Sequence, residues 1–241
     1  MNSYEEWLIS EKQWIGVYCR KTIKKMVCLT IPMAIVIMTA LFAGLALSSG
    51  EKTEGILESA SGGFFMGLMI SAVFLMFLLP GLRPGRYVKK IRSNVKKLAL
   101  TDGEKEQLGR EMLAADKDHI ISYTLTGPNS KGTPARFILT PHYAFLEGSY
   151  PYSILVRLSD IREIRMDEEE KTAVTRRAKT KTYYRFTLFT IGFFQKDRVE
   201  QESEDFPDIA MGFFDASIRA RIMKLLEETE IRITQNTKAA L

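Results

Sequence analysis

Two long uncharged segments constrain this chain more than any other feature of its sequence. Residues 26–47 and 62–82 contain no Asp, Glu, Lys, Arg or His. A helix of about twenty residues reaches the ~30 Å thickness of the hydrocarbon core of a bilayer. A helix that is apolar on all sides over such a length is rarely found on the surface of a soluble protein. We therefore predict transmembrane helices at residues 26–48 and 62–82, joined by an external loop at residues 49–61.

The first apolar segment is interpreted as a retained span and not as a cleaved signal peptide. A charged leader of 25 residues precedes it, and its 22 uncharged residues exceed the roughly 7–15 residues of a signal-peptide core.

The distribution of basic residues predicts the orientation of the two spans. Lys and Arg accumulate in the short cytoplasmic segments of membrane proteins. Residues 1–25 carry five basic residues and residues 83–100 carry seven, whereas the connecting loop carries only Lys52. We therefore expect a multi-pass protein of the cell membrane with both termini in the cytoplasm.

The segment that follows the second span, residues 83–100, is predicted to form a basic juxtamembrane helix. At about 100° per residue its apolar side chains fall in one sector: Tyr87, Val88, Ile91, Val95 and Leu98. We predict that this stripe lies along the inner leaflet and that the basic side chains contact anionic lipid headgroups. The candidate lipid-contact residues are Arg83, Arg86, Lys89, Lys90, Arg92, Lys96 and Lys97.

The N-terminal cytoplasmic segment, residues 1–25, also has an amphipathic helical pattern. Ser3 and Glu6 have the spacing of a capping box. Trp7 and Tyr18 are residue types that favour the headgroup zone. Two interpretations remain open: an interfacial helix that leads into the first span, or a short helix that packs on the soluble domain.

The rest of the chain is predicted to be a cytoplasmic domain. Thr101 and Glu104 form a possible capping box for a linker helix at residues 101–115. In residues 116–241, six or seven short β-rich runs precede an amphipathic helix, for which Asp215 is a plausible N-cap. The pattern predicts an α+β membrane protein, with a cytoplasmic antiparallel sheet or partial barrel closed by a C-terminal helix. The charged run "DEEEKTAVTRRAKTK" is interpreted as a loop between strands.

Three stretches carry a resemblance to a known family: "RFILTPHYAFLE", "LSDIREIRM" and "ASIRARIMKLLEET". Their order is similar to that in the pleckstrin-homology-like domains of bacterial membrane proteins, which include the YcxB-like group. Those domains often follow a two-helix membrane hairpin. The resemblance covers roughly residues 116–230 and implies a binding or regulatory module, with no functional residue to transfer.

The sequence offers no convincing catalytic, cofactor or metal motif. Gly127 and Gly132 have the separation of a phosphate loop, but Thr133 stands where its lysine belongs. His119 and His142 lack partners in any known catalytic or zinc motif and are expected at the surface or at strand edges. We therefore expect no enzyme activity, no cofactor and no metal.

Charge argues against nucleic acid as a partner. Residues 101–241 carry 21 basic and 23 acidic residues, whereas nucleic-acid-binding domains present a cationic face that displaces counterions. A second basic cluster comprises Arg176, Arg177, Lys179 and Lys181. It is interpreted either as a further contact for anionic lipid or as a solvated loop that the acidic residues before it neutralise.

Gly63 and Gly67 form a GxxxG pattern, which favours close helix contacts and indicates self-association in the membrane. The predicted function is a membrane-anchored, non-catalytic binding or regulatory module that recognises a protein partner or anionic lipid. The alternative is an accessory subunit of a membrane transporter or of an envelope-enzyme complex. A deep polar pocket with convergent titratable groups would instead favour an enzyme.

Overall fold

The computed structural model describes residues 2–125, 132–148, 153–177, 180–196 and 206–235, without the side chains of 175–177, 180 and 235. The chain is of mixed α+β class and divides into two compact units. One unit comprises Glu11–Tyr87, and the other comprises Met1–Ser10 together with Val88–Leu241. We call them the helical hairpin and the domain.

Helix α1 (Ser3–Lys25) continues through a π-helical turn (Met26–Thr30) into α2 (Ile31–Ser48). The π turn directly precedes Pro32, whose ring has no N–H to donate and clashes with the carbonyl of the preceding turn. A π turn adjusts the backbone locally at such a point. The structure therefore has one helix of 46 residues, Ser3–Ser48, where the sequence predicts two separate segments.

Helix α3 (Thr53–Leu78) packs on α2 through small residues. Gly63, Gly67 and Ser71 are buried at four-residue spacing. A Cβ atom at Gly63 would lie 2.7 Å from the carbonyl oxygen of Met38, and one at Gly67 would lie 2.8 Å from the Cα of Ile35. The GxxxG face is thus used within the chain, so it no longer supports the predicted self-association. Because α3 begins at Thr53, only residues 49–52 of the predicted loop connect the two helices.

Many large apolar side chains of α2 and α3 are exposed. Val36, Met69 and Phe77 are 65 %, 66 % and 80 % exposed. The two helices, Ser3–Ser48 and Thr53–Leu78, are each long and apolar enough to cross a membrane.

The domain contains two four-stranded sheets. The first has the order β1-β2-β3-β4, and all its pairs are antiparallel. The second has the order β7-β6-β5-β8; its pairs are antiparallel except for the parallel pair β5–β8. The bounds are α4 (Pro84–Lys97), α5 (Asp102–Ala114), β1 (Ile120–Leu125), β2 (Thr133–Leu139), β3 (Tyr143–Glu147), β4 (Ser153–Arg157), β5 (Ile161–Arg177), β6 (Thr180–Gln195), β7 (Ile209–Phe213), α6 (Ala216–Leu226) and β8 (Arg232–Gln235).

Strand β3 is buried on both faces, which explains why "YAFLE" shows no polar alternation. Ala144 and Leu146 belong to the core that contains residues of both sheets and of α6. The side chain between them, Phe145, points to the other face and meets the ring of Trp7 edge-on at 5.5 Å between centroids.

Residues 2–10 of α1 pack on the domain, so the second of the two N-terminal interpretations holds for them. Trp7 and Leu8 are 1 % and 2 % exposed. The backbone of Ser3 and Tyr4 lies so close to Gly109 of α5 that a Cβ there would overlap it. The N-cap is Asn2, whose Oδ1 accepts from the N–H of Tyr4 at 2.8 Å, so the predicted Ser3 cap is wrong.

Helix α5 is part of the domain, whereas the sequence assigned residues 101–115 to a linker. Leu108 and Met112 are buried. The capping box of Thr101 and Glu104 is confirmed, as is the Asp215 cap of α6.

Strands β5 and β6 are much longer than the sequence predicts. The run 167–181, interpreted as a loop, is β-strand wherever it is described, and β5 pairs with β6 from Ile161↔Gln195 to Arg177↔Thr180. Seven of the described strands precede α6, in agreement with the predicted six or seven, but β8 follows it and was not predicted.

Candidate functional site

The predicted lipid-contact residues form an exposed basic surface on and beside α4. Lys90 is partly buried, and the other six are exposed: Arg83, Arg86, Lys89, Arg92, Lys96 and Lys97. Arg92 forms an ion pair with Glu5 at 2.8 Å. Residues 83–100 contain no acidic residue of their own, so the segment is strongly basic, with Glu5 of α1 as the partner of Arg92.

The apolar stripe of α4 does not face lipid as predicted. Ile91 and Val95 are 0 % and 2 % exposed. Between them, the side-chain amide of Asn94 donates to the carbonyl oxygen of Ser153 at 2.5 Å and lies 3.2 Å from its Oγ. This part of α4 is therefore tied to the first residue of strand β4, and its apolar stripe is buried in protein because burial removes it from water.

The second basic cluster lies in the outer part of the β5–β6 pair. Arg176 pairs with Lys181 across the strands, and Arg177 pairs with Thr180. The side chain of Lys181 is exposed. Lys179 lies outside the described residues, and the side chains of Arg176 and Arg177 are not described.

Two of the acidic residues that were expected to neutralise this cluster, Glu168 and Glu169, form ion pairs with other residues. Glu168 forms an ion pair at 2.5 Å with Arg219 of α6. The guanidinium of Arg219 also donates to the carbonyl oxygen of Asp167 and lies 4.9 Å from the centroid of the Phe189 ring. Glu169 pairs with Lys171 at 2.7 Å.

The domain also has an open cleft of about 1020 Å³ that the sequence did not reveal. Both histidines line it, each beside a carboxylate. His142 Nδ1 lies 2.6 Å from Glu111 Oε1, and His119 Nε2 lies 3.4 Å from Glu228 Oε2. The two imidazoles are 56 % and 43 % exposed, respectively. Both are open to water, unlike the water-excluded setting that strengthens catalytic electrostatics.

Glu111 orients His142. Burial raises the pKa of Glu111, but hydrogen bonds from Gln107, Thr140 and His142 together hold that pKa below its usual value. Because an ionised carboxylate only accepts hydrogen bonds, its 2.6 Å contact requires a hydrogen on His142 Nδ1. The side-chain nitrogen of Gln107 also lies 3.0 Å from this Nδ1. The backbone N–H of His142 also donates to Glu111 at 3.2 Å.

The cleft escaped sequence reasoning because its wall comes from several distant parts of the chain. Glu111 lies on α5, His142 in the β2–β3 turn, Arg162 at the start of β5 and Glu228 after α6. No local spacing links these residues. The signal that was available, two histidines without a motif, pointed only to the surface, where the structure places both.

Two other stretches have simpler outcomes. Strands β1 and β2 on either side of the "GPNSKGTP" run are antiparallel neighbours, as the hairpin interpretation requires; residues 126–131 themselves are outside the described part. Within the described ranges, no three His, Cys, Asp or Glu side chains converge in a way that could hold a metal ion.

Comparisons with protein-family models, with curated proteins and with solved structures found no match to this chain.

Proposed function

We propose that this chain is a two-span membrane protein whose cytoplasmic domain binds anionic lipid headgroups without catalysis. The observation that carries the proposal is the hairpin, whose outward side chains are large and apolar, followed at once by seven basic residues without an acidic one. Exposed apolar surface on this scale is costly in water and favourable in lipid. A positive segment directly after a span is retained in the cytoplasm.

The site on the domain is the exposed basic side of α4, with Lys89, Lys96 and Lys97 at its centre. Because the apolar stripe of α4 is buried in protein, the helix contacts headgroups through its basic side chains and does not insert into the bilayer. Each basic side chain near an anionic surface contributes on the order of 1 kcal/mol, and this attraction weakens with salt.

A pleckstrin-homology-like arrangement of the domain is part of the proposal. It is supported by seven strands in two sheets, followed by a helix that contributes Ile218, Ile222 and Leu226 to the core between them. An experimental structure of the domain tests it. A sheet order other than β1-β2-β3-β4 and β7-β6-β5-β8 would refute it.

Lipid retention tests the α4 surface. The full chain is extracted from nanodiscs that contain phosphatidylcholine and phosphatidylglycerol, and the retained lipids are counted by native mass spectrometry. We expect wild type to retain phosphatidylglycerol and the K89E/K96E/K97E variant to lose it. The matched control, K117E/R221E/K224E, reverses three exposed cations elsewhere on the domain and should retain it. Equal retention by all three proteins would exclude α4 as the lipid site.

Protease accessibility in spheroplasts tests the orientation. The domain should be protected until the membrane is opened, and digestion of the domain in intact spheroplasts would exclude the proposed topology.

A protein partner stays a prediction that affinity purification from membranes tests. The accessory-subunit alternative also stays a prediction that the same purification tests.

A further inference from the structure

The outer part of the β5–β6 pair is a two-stranded ribbon with no third strand among the described residues. We call residues 171–177 and 180–187 the distal ribbon. Strand β7 pairs only with residues 189–193 of β6, and β8 pairs only with residues 163–166 of β5. An isolated two-stranded hairpin is at best marginally stable in water. Seven consecutive cross-strand pairs, from Lys171↔Phe186 to Arg177↔Thr180, therefore lie beyond the sheet that supports them.

One face of the distal ribbon combines aromatic, aliphatic and basic side chains. Val174 and Tyr183 are directly opposite each other and are 49 % and 63 % exposed. Lys181 and Arg185 flank Tyr183 at two-residue spacing, so they share its face, and both are exposed. On the other face, Tyr184 is 50 % exposed.

The charge of the distal ribbon has a single sign. Residues 171–187 contain six basic residues and no acidic one. On the face of Tyr183, the first acidic residue is Glu170, four positions from Val174 and so about 13 Å away at ~3.3 Å per residue. Beyond it, Glu168 is engaged by Arg219. Of the acidic block, Glu169 pairs with Lys171 at the base of the ribbon, and Lys181 and Arg185 lie farther out.

We infer that the distal ribbon is a second membrane contact, which docks on an anionic bilayer surface through the face that carries Tyr183, Lys181 and Arg185. This inference rests on the proposed function, since the anchored hairpin keeps a bilayer at high effective concentration. Tyrosine favours the headgroup zone, and basic side chains are attracted to anionic lipid. Pairing with the ribbon of a second copy is opposed by the repulsion between their basic side chains.

Amide hydrogen exchange on the full chain tests the contact. The protein is placed in nanodiscs of phosphatidylcholine alone, or of phosphatidylcholine mixed with phosphatidylglycerol. We expect exchange in peptides that cover residues 171–187 to slow at least about tenfold with phosphatidylglycerol, and to recover at high salt. The K181E/R185E and Y183S variants should lose most of the slowing, whereas Y184S, on the opposite face, should keep it. The control K117E/R221E should keep it. Each variant is first compared with wild type in phosphatidylcholine alone, so a variant whose ribbon is already unfolded is recognised.

Three outcomes would overturn the contact. One is ribbon exchange that is indifferent to phosphatidylglycerol. Another is slowing by single-stranded RNA in phosphatidylcholine nanodiscs that matches the effect of phosphatidylglycerol, which would assign the ribbon to nucleic acid. The last is slowing that follows protein concentration alone, which would assign it to a second copy. The lipid-retention experiment on α4 is independent, so failure of the ribbon contact is distinguishable from failure of the proposed function.

Discussion

The helical hairpin and the domain bury different residue types: small residues in the hairpin and large apolar residues in the domain. In the hairpin, Gly63, Gly67 and Ser71 are buried, and Phe77 is 80 % exposed. In the domain, Phe193 is fully buried between the sheets. A domain in water gains free energy by removing large apolar side chains from solvent, whereas helices in lipid gain it from close contact between small residues. The two regions therefore differ in what they bury, as the proposed membrane location of the hairpin requires.

The same substitution should have opposite consequences in the two regions. Phe193→Ala leaves a cavity in the core of the domain and should lower its free energy of unfolding by about 3–5 kcal/mol. Phe77→Ala removes an outward side chain, leaves no cavity and should change stability by less than about 0.5 kcal/mol. Urea unfolding of the full chain in nanodiscs, followed by tryptophan fluorescence, measures both. A large loss for Phe77→Ala would mean that this side chain is packed against protein.

Two adjacent glycines sharpen the comparison inside the hairpin. Gly63→Val places a side chain against the backbone of α2 and should destabilise the hairpin by about 1–3 kcal/mol. Gly62→Val is the matched control, because nothing lies within 4 Å of its added Cβ. Unfolding in SDS, followed by circular dichroism, reports the difference. Equal midpoints for the two variants would contradict the α2–α3 packing.

The stability of the domain, and not that of the hairpin, should depend on pH through Glu111. Its pKa is lower in the folded protein than the usual 4.5, so its stabilising contribution is present above pH 4.5 and is lost as the pH falls through the folded value. Glu111→Gln should therefore lower stability at neutral pH and flatten the loss below pH 4.5. Urea unfolding across pH measures this, with Glu227→Gln, an exposed position, as control. An unchanged acid limb in Glu111→Gln would exclude the role of this carboxylate.

The smallest expected effect comes from two helix ends. Gly50 follows α2 with φ +71°, and the N–H groups of Gly50 and Glu51 donate to the carbonyl oxygens of Leu47 and Ala46, a Schellman pattern. In the domain, Ala99 stands after α4 with φ 50°, a conformation that costs a side chain about 1 kcal/mol or more.

Ala99→Gly should thus stabilise the domain by about 0.5–1 kcal/mol, and Gly50→Ala should destabilise the hairpin by a similar amount. Urea and SDS unfolding, respectively, measure the two changes. Destabilisation by Ala99→Gly would show that the entropy lost by glycine exceeds the relieved strain.

Local patterns in the sequence predicted the parts that depend on neighbours along the chain. The two apolar helices, the caps at Thr101 and Asp215, and the strands before α6 all follow from residue spacing. The exposed basic side chains of α4 follow from it as well, because charge stays in water whatever the helix packs on.

The tertiary structure decided what covers each apolar face and which charged residues lie in strands. The apolar stripe of α4 and the apolar face around Trp7 could each have contacted lipid or protein. In the structure both contact protein: α4 is bound to Ser153 of β4, and Trp7 packs on Phe145. The run from Asp167 has low intrinsic strand preference, yet pairing with β6 overrides it because β preference depends on cross-strand partners. The cleft between His119 and His142 exists only once distant segments meet. The order of residues along the chain determines periodicity and local charge, whereas the contacts of each face depend on segments that are distant in sequence and meet only in the folded structure.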